Sequence, residues 1–256
     1  MSGSNTYTGT TTVTLGTLVV ANSNALGGGG AVNIASGGTV KNGTGGDYTF
    51  SNDVVNNGAI NANGDHNIII AANKTLSGNG LLTDSIGNGF ASFTVMGTLS
   101  PGNSPGTVTV DTNVTLTLDG GATTIWQLAA EVADGDGTPG TSWDSFALNS
   151  DSTMNLNGTL EIDLAGISFS ANSYWQSSHA YTVFTGAGAG GQTGLFSSIA
   201  GEYTYTNLNG TGTFAYAGGN TLNYNWVAVP EPQTWALAAL GLSVVLFRLR
   251  RKQRAS

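Results

Sequence analysis

The sequence predicts an all-β chain: a parallel β-helix, or solenoid, with a β-rich C-terminal extension and then a single C-terminal transmembrane helix. Three observations predict it. Short strand patterns return about every 20 residues through the first half of the chain, the period of a coil that adds one unit at a time. Apolar residues alternate with Thr, Ser and Asn, as in strands with one buried face. The final stretch abandons this texture for an uncharged run followed by a basic cluster.

The elements follow in order. Between Asn5 and Asn22, Val13 and Leu15, then Leu18 and Val20 after Gly16, predict two short strands around a glycine turn. The unit Gly16-Thr17-Leu18 returns as Gly38-Thr39-Val40, Gly58-Ala59-Ile60, Lys74-Thr75-Leu76 and Gly97-Thr98-Leu99, at steps of 22, 20, 16 and 23 residues. No such unit can bury its apolar face alone, so each must stack on its neighbours. Gly and Asn between strands supply positive φ at the corners, and the Asn side chains are expected to stack along the axis. The rival β-sandwich needs longer alternating strands with turns roughly every 8–12 residues. From Thr123 the side chains grow: Ile125, Trp126 and Leu128, then alternating stretches Trp143 to Leu148 and Met154 to Leu164. Most aromatics fall here, among them Tyr174, Trp175, Tyr181, Phe184, Tyr203, Tyr205 and Tyr224. The division is therefore solenoid repeats over 1–118, continued β structure or a β cap over 119–226, a linker over 227–234, a membrane helix over 235–249 and a basic tail over 250–256.

Composition excludes several functions. Without cysteine there is neither a disulfide nor a thiolate metal site. All fifteen acidic residues but only two basic ones, Lys41 and Lys74, precede the apolar run, so the body carries −13 and the tail +5. A body so poor in cations has nothing with which to neutralise phosphates, so nucleic acid is not a partner.

Catalytic constellations are not found. Asp134-Gly135-Asp136-Gly137 sets two carboxylates in a Gly-rich turn but lacks the further ligands of a calcium loop, and a solvated turn is expected. His66 and His179 have no partner at ligand spacing, and both are expected in surface or turn positions. Gly102-Asn103-Ser104-Pro105-Gly106 has the letters of a nucleophile elbow, yet no helix follows and Pro105 marks a turn. Glu161 and Asp163 alternate with Leu160, Ile162 and Leu164, which places them on an outer strand face. The expectation is a non-enzymatic protein without catalytic residues, metal or cofactor.

The tail is the most specific stretch. Val229-Pro230-Glu231-Pro232 is followed by an apolar segment built on Trp235, Leu237, Leu240, Leu242, Val244, Val245, Leu246 and Phe247, and then by Arg248, Arg250, Arg251, Lys252 and Arg254. The two prolines disfavour helix and leave Glu231 on an extended strip. As a helix, Trp235 to Phe247 spans roughly 20 Å, and snorkelling of Arg248 lets Leu249 extend it. Trp235 suits the membrane interface, and the basic cluster keeps the C-terminus cytoplasmic and the acidic body on the far side. This order of motif, apolar helix and basic cluster resembles the PEP-CTERM sorting signal of exopolysaccharide-producing Gram-negative bacteria. The resemblance implies recognition by exosortase, a membrane-embedded cysteine transpeptidase-like enzyme that processes near the motif. Pro230, Glu231 and Pro232 are then residues read by another enzyme, and the inner membrane holds the chain transiently.

A second resemblance covers about residues 3–118. Asn5-Thr6-Tyr7-Thr8-Gly9-Thr10-Thr11-Thr12-Val13, Gly16 to Val20 and Asn22 to Gly27 are similar to the passenger-associated repeats of autotransporters, and Gly97 to Val108 is similar to a turn common in the same proteins. This implies a right-handed parallel β-helix on a surface-displayed protein, although an apolar helix stands where autotransporters carry a barrel. Met1 to Tyr7 has no signal-peptide character, which suggests that the chain opens inside a repeat with its export signal upstream. The expected function is a cell-surface or extracellular-matrix structural or adhesion-type protein, with extracellular polysaccharide as its expected ligand. The alternatives are a β-helical polysaccharide lyase or hydrolase, and a surface protein that stays anchored.

Overall fold

A computed structural model describes residues 1–86, 91–102, 105–129, 131, 137–167, 169, 173–186, 191–201, 204–207, 209–229, 240 and 242–243. Three parallel sheets of eight, seven and six strands run along the chain, and successive coils add strands to them in turn. The first sheet stacks Thr11–Val13, Val32–Ile34, Val54–Asn56, Thr75–Gly78, Thr98–Pro101, Thr123–Gln127, Thr159–Asp163 and Ser198–Gly201. The second stacks Gly16–Val20, Gly38–Asn42, Ala59–Asn61, Leu81–Thr83, Thr107–Val110, Ser145–Leu148 and Phe184–Thr185. The third stacks Tyr48–Phe50, Asn67–Ile70, Ser92–Val95, Thr115–Leu118, Thr153–Leu156 and Gly191–Gly194. The architecture is all-β with parallel sheets, consistent with a solenoid.

Register explains why these sequences form this core. Strands of two to five residues present one or two inward side chains, and parallel pairing puts like on like. In the first sheet Val32, Val54, Leu76 and Leu99 stand in one column. In the second, Val40, Ile60, Leu82, Val110 and Leu148 do the same. The third carries two columns, Tyr48-Ile68-Phe93-Leu116-Met154 and Phe50-Ile70-Val95-Leu118. All of these side chains are buried, each stabilising by about 1.5–3 kcal/mol relative to exposure. The alternate Thr, Ser and Asn face outward, so the alternation seen in the sequence is the inside and outside of the coil.

The corners are tight turns with one demanding position. Ala71 to Lys74, Asp111 to Val114 and Asn149 to Ser152 each close with an N–H to the carbonyl three residues back. Their third residues, Asn73, Asn113 and Asp151, have φ of 61°, 60° and 58°, a region that Asn and Asp tolerate best among residues with a Cβ. The expected stacking of Asn occurs as side-chain-to-backbone steps. Asn57 Oδ1 accepts Asn79 N–H at 3.2 Å, and Asn79 Oδ1 accepts Thr107 N–H at 3.0 Å. Asn42 and Asn61 bridge their own turns instead, to the N–H groups of Thr44 and Asn63.

Two expectations change in detail. Leu15 is not in a strand; it is 83% exposed between the first two. The recurring unit spans two faces: Gly16, Gly38 and Ala59 share the second sheet, whereas Thr75 and Thr98 belong to the first. The apparent 16-residue step is a jump between faces. The stacking step is 22 residues where Asp53 Oδ1 accepts Thr75 N–H, and 39 where Ser197 Oγ reaches Gly158 O. The growth lies in the excursions after Gln127 and Asp163, while the three ladders continue through residue 119 without a break.

The last coils end against a four-stranded antiparallel sheet ordered His179–Thr182, Thr221–Ala228, Gly210–Ala215 and Thr204–Asn207. Leu240, Leu242 and Ser243 are helical. Among the described residues no helix is long and apolar enough to cross a membrane; Trp235, Leu237, Val244, Val245, Leu246, Phe247 and the basic residues lie outside them.

Candidate functional site

The segment singled out by sequence leaves the body from the end sheet. Thr221–Ala228 is an interior strand there, flanked by His179–Thr182 and Gly210–Ala215. Its pairing persists to the last residue: Val227 faces Thr211 and Ala228 faces Gly210, and then Val229 N–H donates to Asn209 O at 2.8 Å. Residues 227 and 228, read from sequence as the start of a linker, are therefore part of the fold. Val227 and Val229 are mostly exposed. Pro230, Glu231 and Pro232 lie outside the described residues. Among the described residues the last strand thus ends at Ala228, two residues before Pro230.

Aromatic packing holds this end together. Trp126 and Trp175 are fully buried, with Tyr181, Phe214 and Tyr224 around them. Trp126 lies 5.5 Å from Tyr181, and Trp175 lies 5.0 Å from Tyr224 edge-on, within the range of favourable aromatic pairs. Each of the three buried indole N–H groups has a partner: Trp126 donates to Asp144 O, Trp143 to Thr182 O and Trp175 to the Glu131 carboxylate. Tyr224 Oη donates to Trp175 O at 3.1 Å. His179, expected at the surface or in a turn, is buried in a strand and stacks on Tyr174 with ring centroids 3.9 Å apart. Its Nε2 lies 2.5 Å from Tyr174 O; a carbonyl only accepts, so Nε2 carries the proton.

Among the described residues Asp144 is the buried carboxylate. It joins two sheets: Oδ1 accepts Gly106 N–H at 2.8 Å, and Oδ2 accepts Gln127 N–H at 3.0 Å. Burial pushes its carboxyl up to about 7, opposed by those two N–H groups and reinforced by the charge of Asp163. The signal was present, because residue 144 is in phase with inward-facing Phe146 and Leu148. Asp111 behaves oppositely. Desolvation raises it, but hydrogen bonds from Thr83, Thr112 N–H and Asn149 outweigh this and hold its carboxyl below the ordinary value.

The other candidates do not converge. Glu161 is exposed, and Asp163 accepts Gln127 Nε2–H at 2.7 Å. Lys41 reaches Ser85 Oγ at 3.3 Å. His66 is half-buried, far along the chain from His179. Asp134, Asp136, Asn103 and Ser104 lie outside the described residues. Among the described residues no three His, Asp or Glu side chains gather as a metal site. A shallow groove of about 300 Å³ crosses three corners between the third and first sheets, lined by Asn73, Met96, Thr98, Asp119 and Thr123.

No curated protein matches the chain. The PEP-CTERM protein-sorting motif matches residues 228–252, from the last residue of the last strand into the basic cluster, which implies an exported protein of the cell envelope or surface with exosortase as its processing partner.

Proposed function

We propose that this chain is a non-enzymatic structural or adhesion-type protein of the cell surface or extracellular matrix, held transiently in the inner membrane by its tail until exosortase processes it. The observation that carries this reading is the position of the sorting motif, which starts where the last strand of a closed β stack stops. A body that is folded up to Ala228 can be released as a unit by one break near Glu231. The apolar run from Trp235 to Phe247 supplies the temporary anchor, and the cluster from Arg248 to Arg254 retains the C-terminus inside.

The body suits a mechanical role. Its columns are aliphatic and aromatic, its outer positions are rich in Thr, Ser and Asn, and it carries −13. Such a surface offers hydroxyl and amide groups to extracellular polysaccharide, and the groove beside Asn73, Thr98 and Thr123 is one place for a sugar to lie. Two features support a non-catalytic body. Trp126, Trp143, Trp175, Tyr181, Phe184 and Tyr224 are packed inside, and both oxygens of Asp144 are held by backbone N–H groups.

The test compares wild type with Glu231→Ala in a native host, by mass and by membrane fractionation. Wild type is expected outside the inner membrane without the segment beyond the motif, and the variant full-length in the membrane. If both stay full-length in the membrane, the protein is a permanently anchored one and the processing reading fails.

A further inference from the structure

We propose that Asn157 is a fold-directed modification site, where the amide of Gly158 attacks the Asn157 side chain and converts it to aspartate or isoaspartate. The sequence contains seven Asn-Gly pairs, at Asn42, Asn57, Asn63, Asn79, Asn88, Asn157 and Asn209. Each has the local chemistry for this reaction, since glycine leaves the attacking nitrogen unhindered. The fold separates them.

At four of the six pairs within the described residues, another acceptor holds the attacking N–H. Gly43 donates to Val20 O at 2.8 Å, Gly58 to Asn56 Oδ1 at 3.2 Å, Gly64 to Asp84 Oδ1 at 2.7 Å and Gly210 to Asn207 Oδ1 at 3.1 Å. At the fifth, Asn79 turns its carbonyl oxygen onto Thr107 N–H in the next coil. Asn157 is different. Gly158 N–H points at the side chain of Asn157 itself, with N to Oδ1 at 2.9 Å. That contact holds the Gly158 nitrogen against the side-chain amide it must attack, and such enforced proximity is what speeds an intramolecular reaction. Asn157 is also exposed, so the leaving group faces water.

The step balances without any redox partner. Solvent base removes the Gly158 amide proton, the nitrogen forms a bond to Asn157 Cγ, and the Cγ–Nδ2 bond breaks. Nδ2 takes a proton from water and leaves as ammonia. Water then opens the five-membered imide at either carbonyl, giving an α- or β-linked aspartate. The position gives the change a structural consequence. Residue 157 is the corner between Thr153–Leu156 and Thr159–Asp163. Gly158 has φ of 70° and packs so closely that a Cβ there would meet Ala122 O at 2.2 Å. A β-linkage lengthens the backbone at this tight point and adds a charge to it, loosening the last coils against those before them.

The experiment is peptide mapping by mass spectrometry after incubation of the full chain at mildly alkaline pH, once folded and once in urea. In the folded protein the peptide containing Asn157 is expected to gain the mass of an amide-to-acid conversion at least about tenfold faster than those containing Asn42, Asn57, Asn63, Asn79 or Asn209. In urea these six rates are expected to converge. Asn157→Gln, which would need a six-membered ring, is expected to lose the reaction at that position while keeping the β circular dichroism of wild type. If Asn157 reacts no faster than Asn209 or Asn42 in the folded chain, or if the ranking is the same in urea, the proposal is overturned.

Discussion

Two buried residues sit against the chemistry around them, and each gives a measurable prediction. Thr124 occupies the aliphatic column between Leu99 and Leu160. It is buried, and among the described residues its Oγ1 is the buried side-chain oxygen left without a hydrogen-bond partner. An unpaired buried hydroxyl costs about 1–3 kcal/mol, and valine keeps the β-branched shape. Thr124→Val is expected to raise the unfolding free energy by about 1–2 kcal/mol in a urea titration; a loss would show that the hydroxyl has a hidden partner. Asp144 gives a pH dependence. Its carboxyl lies near 7 in the folded protein, above its ordinary value of 3.8. Between those values the folded state holds a proton that the unfolded chain has released, so stability falls as pH rises from about 4 to about 7 and levels off above. Asp144→Asn leaves one backbone N–H facing an amide donor and lowers stability overall, but it removes this slope. Urea midpoints at pH 5, 6, 7 and 8 for both proteins read the difference directly, and equal slopes would place the proton elsewhere.

At the scale of the element, strands were far more legible than their phase. Alternation named Val13 and Val20, and the recurring unit named Val40, Ile60, Leu76 and Leu99, all of them inward, because these patterns depend only on neighbours along the chain; Leu15, named with them, is exposed. The phase of the coil was not legible. Several strands of the first two faces begin alike, with a turn residue followed by Thr or Ala and an aliphatic, so Gly58-Ala59-Ile60 and Lys74-Thr75-Leu76 read as one unit while lying on different sheets. The end sheet was equally hidden, since antiparallel pairing of His179–Thr182 with Thr221–Ala228 joins segments about 40 residues apart with no local signal. The sorting segment was legible because its three parts are contiguous. Corners were legible as Asn and Gly in general, and the structure makes one of them testable. Asn113 has φ of 60° at the third position of a turn. Asn113→Ala is expected to cost about 1 kcal/mol through backbone strain alone, and Asn113→Gly to be close to neutral. Thermal unfolding of the pair separates strain from any loss of side-chain bonding, because only strain is relieved by glycine.

At the scale of the molecule, a coil whose layers touch mainly their neighbours has stability that is local and additive along the axis. The C-terminal end is where the layers are widest and where the antiparallel sheet closes over Trp126, Trp175, Tyr181 and Phe214. Trp175 joins that closure to the rest: its ring packs on Phe214 and Tyr224, its carbonyl receives Tyr224 Oη, and its indole N–H meets Glu131 in the excursion after Gln127. Trp175→Ala removes a fully buried ring, at a cost of about 3–5 kcal/mol. In a protein with one cooperative core that loss is felt everywhere. Here it is expected to stay near its origin. Native-state hydrogen exchange on the variant should show faster exchange at Tyr181, Phe214 and Tyr224, with the amides of Val54, Ile68 and Phe93 keeping wild-type protection. Loss of protection in both groups together would mean that the stack unfolds as one unit. The predicted gradient bears on export, because the end sheet is also the part that hands Val229 to the sorting motif. A loosened end sheet frees the last strand from Asn209 and Gly210 without dissolving the body, so the same variant should still be processed at the motif while its released body frays from the C-terminal end.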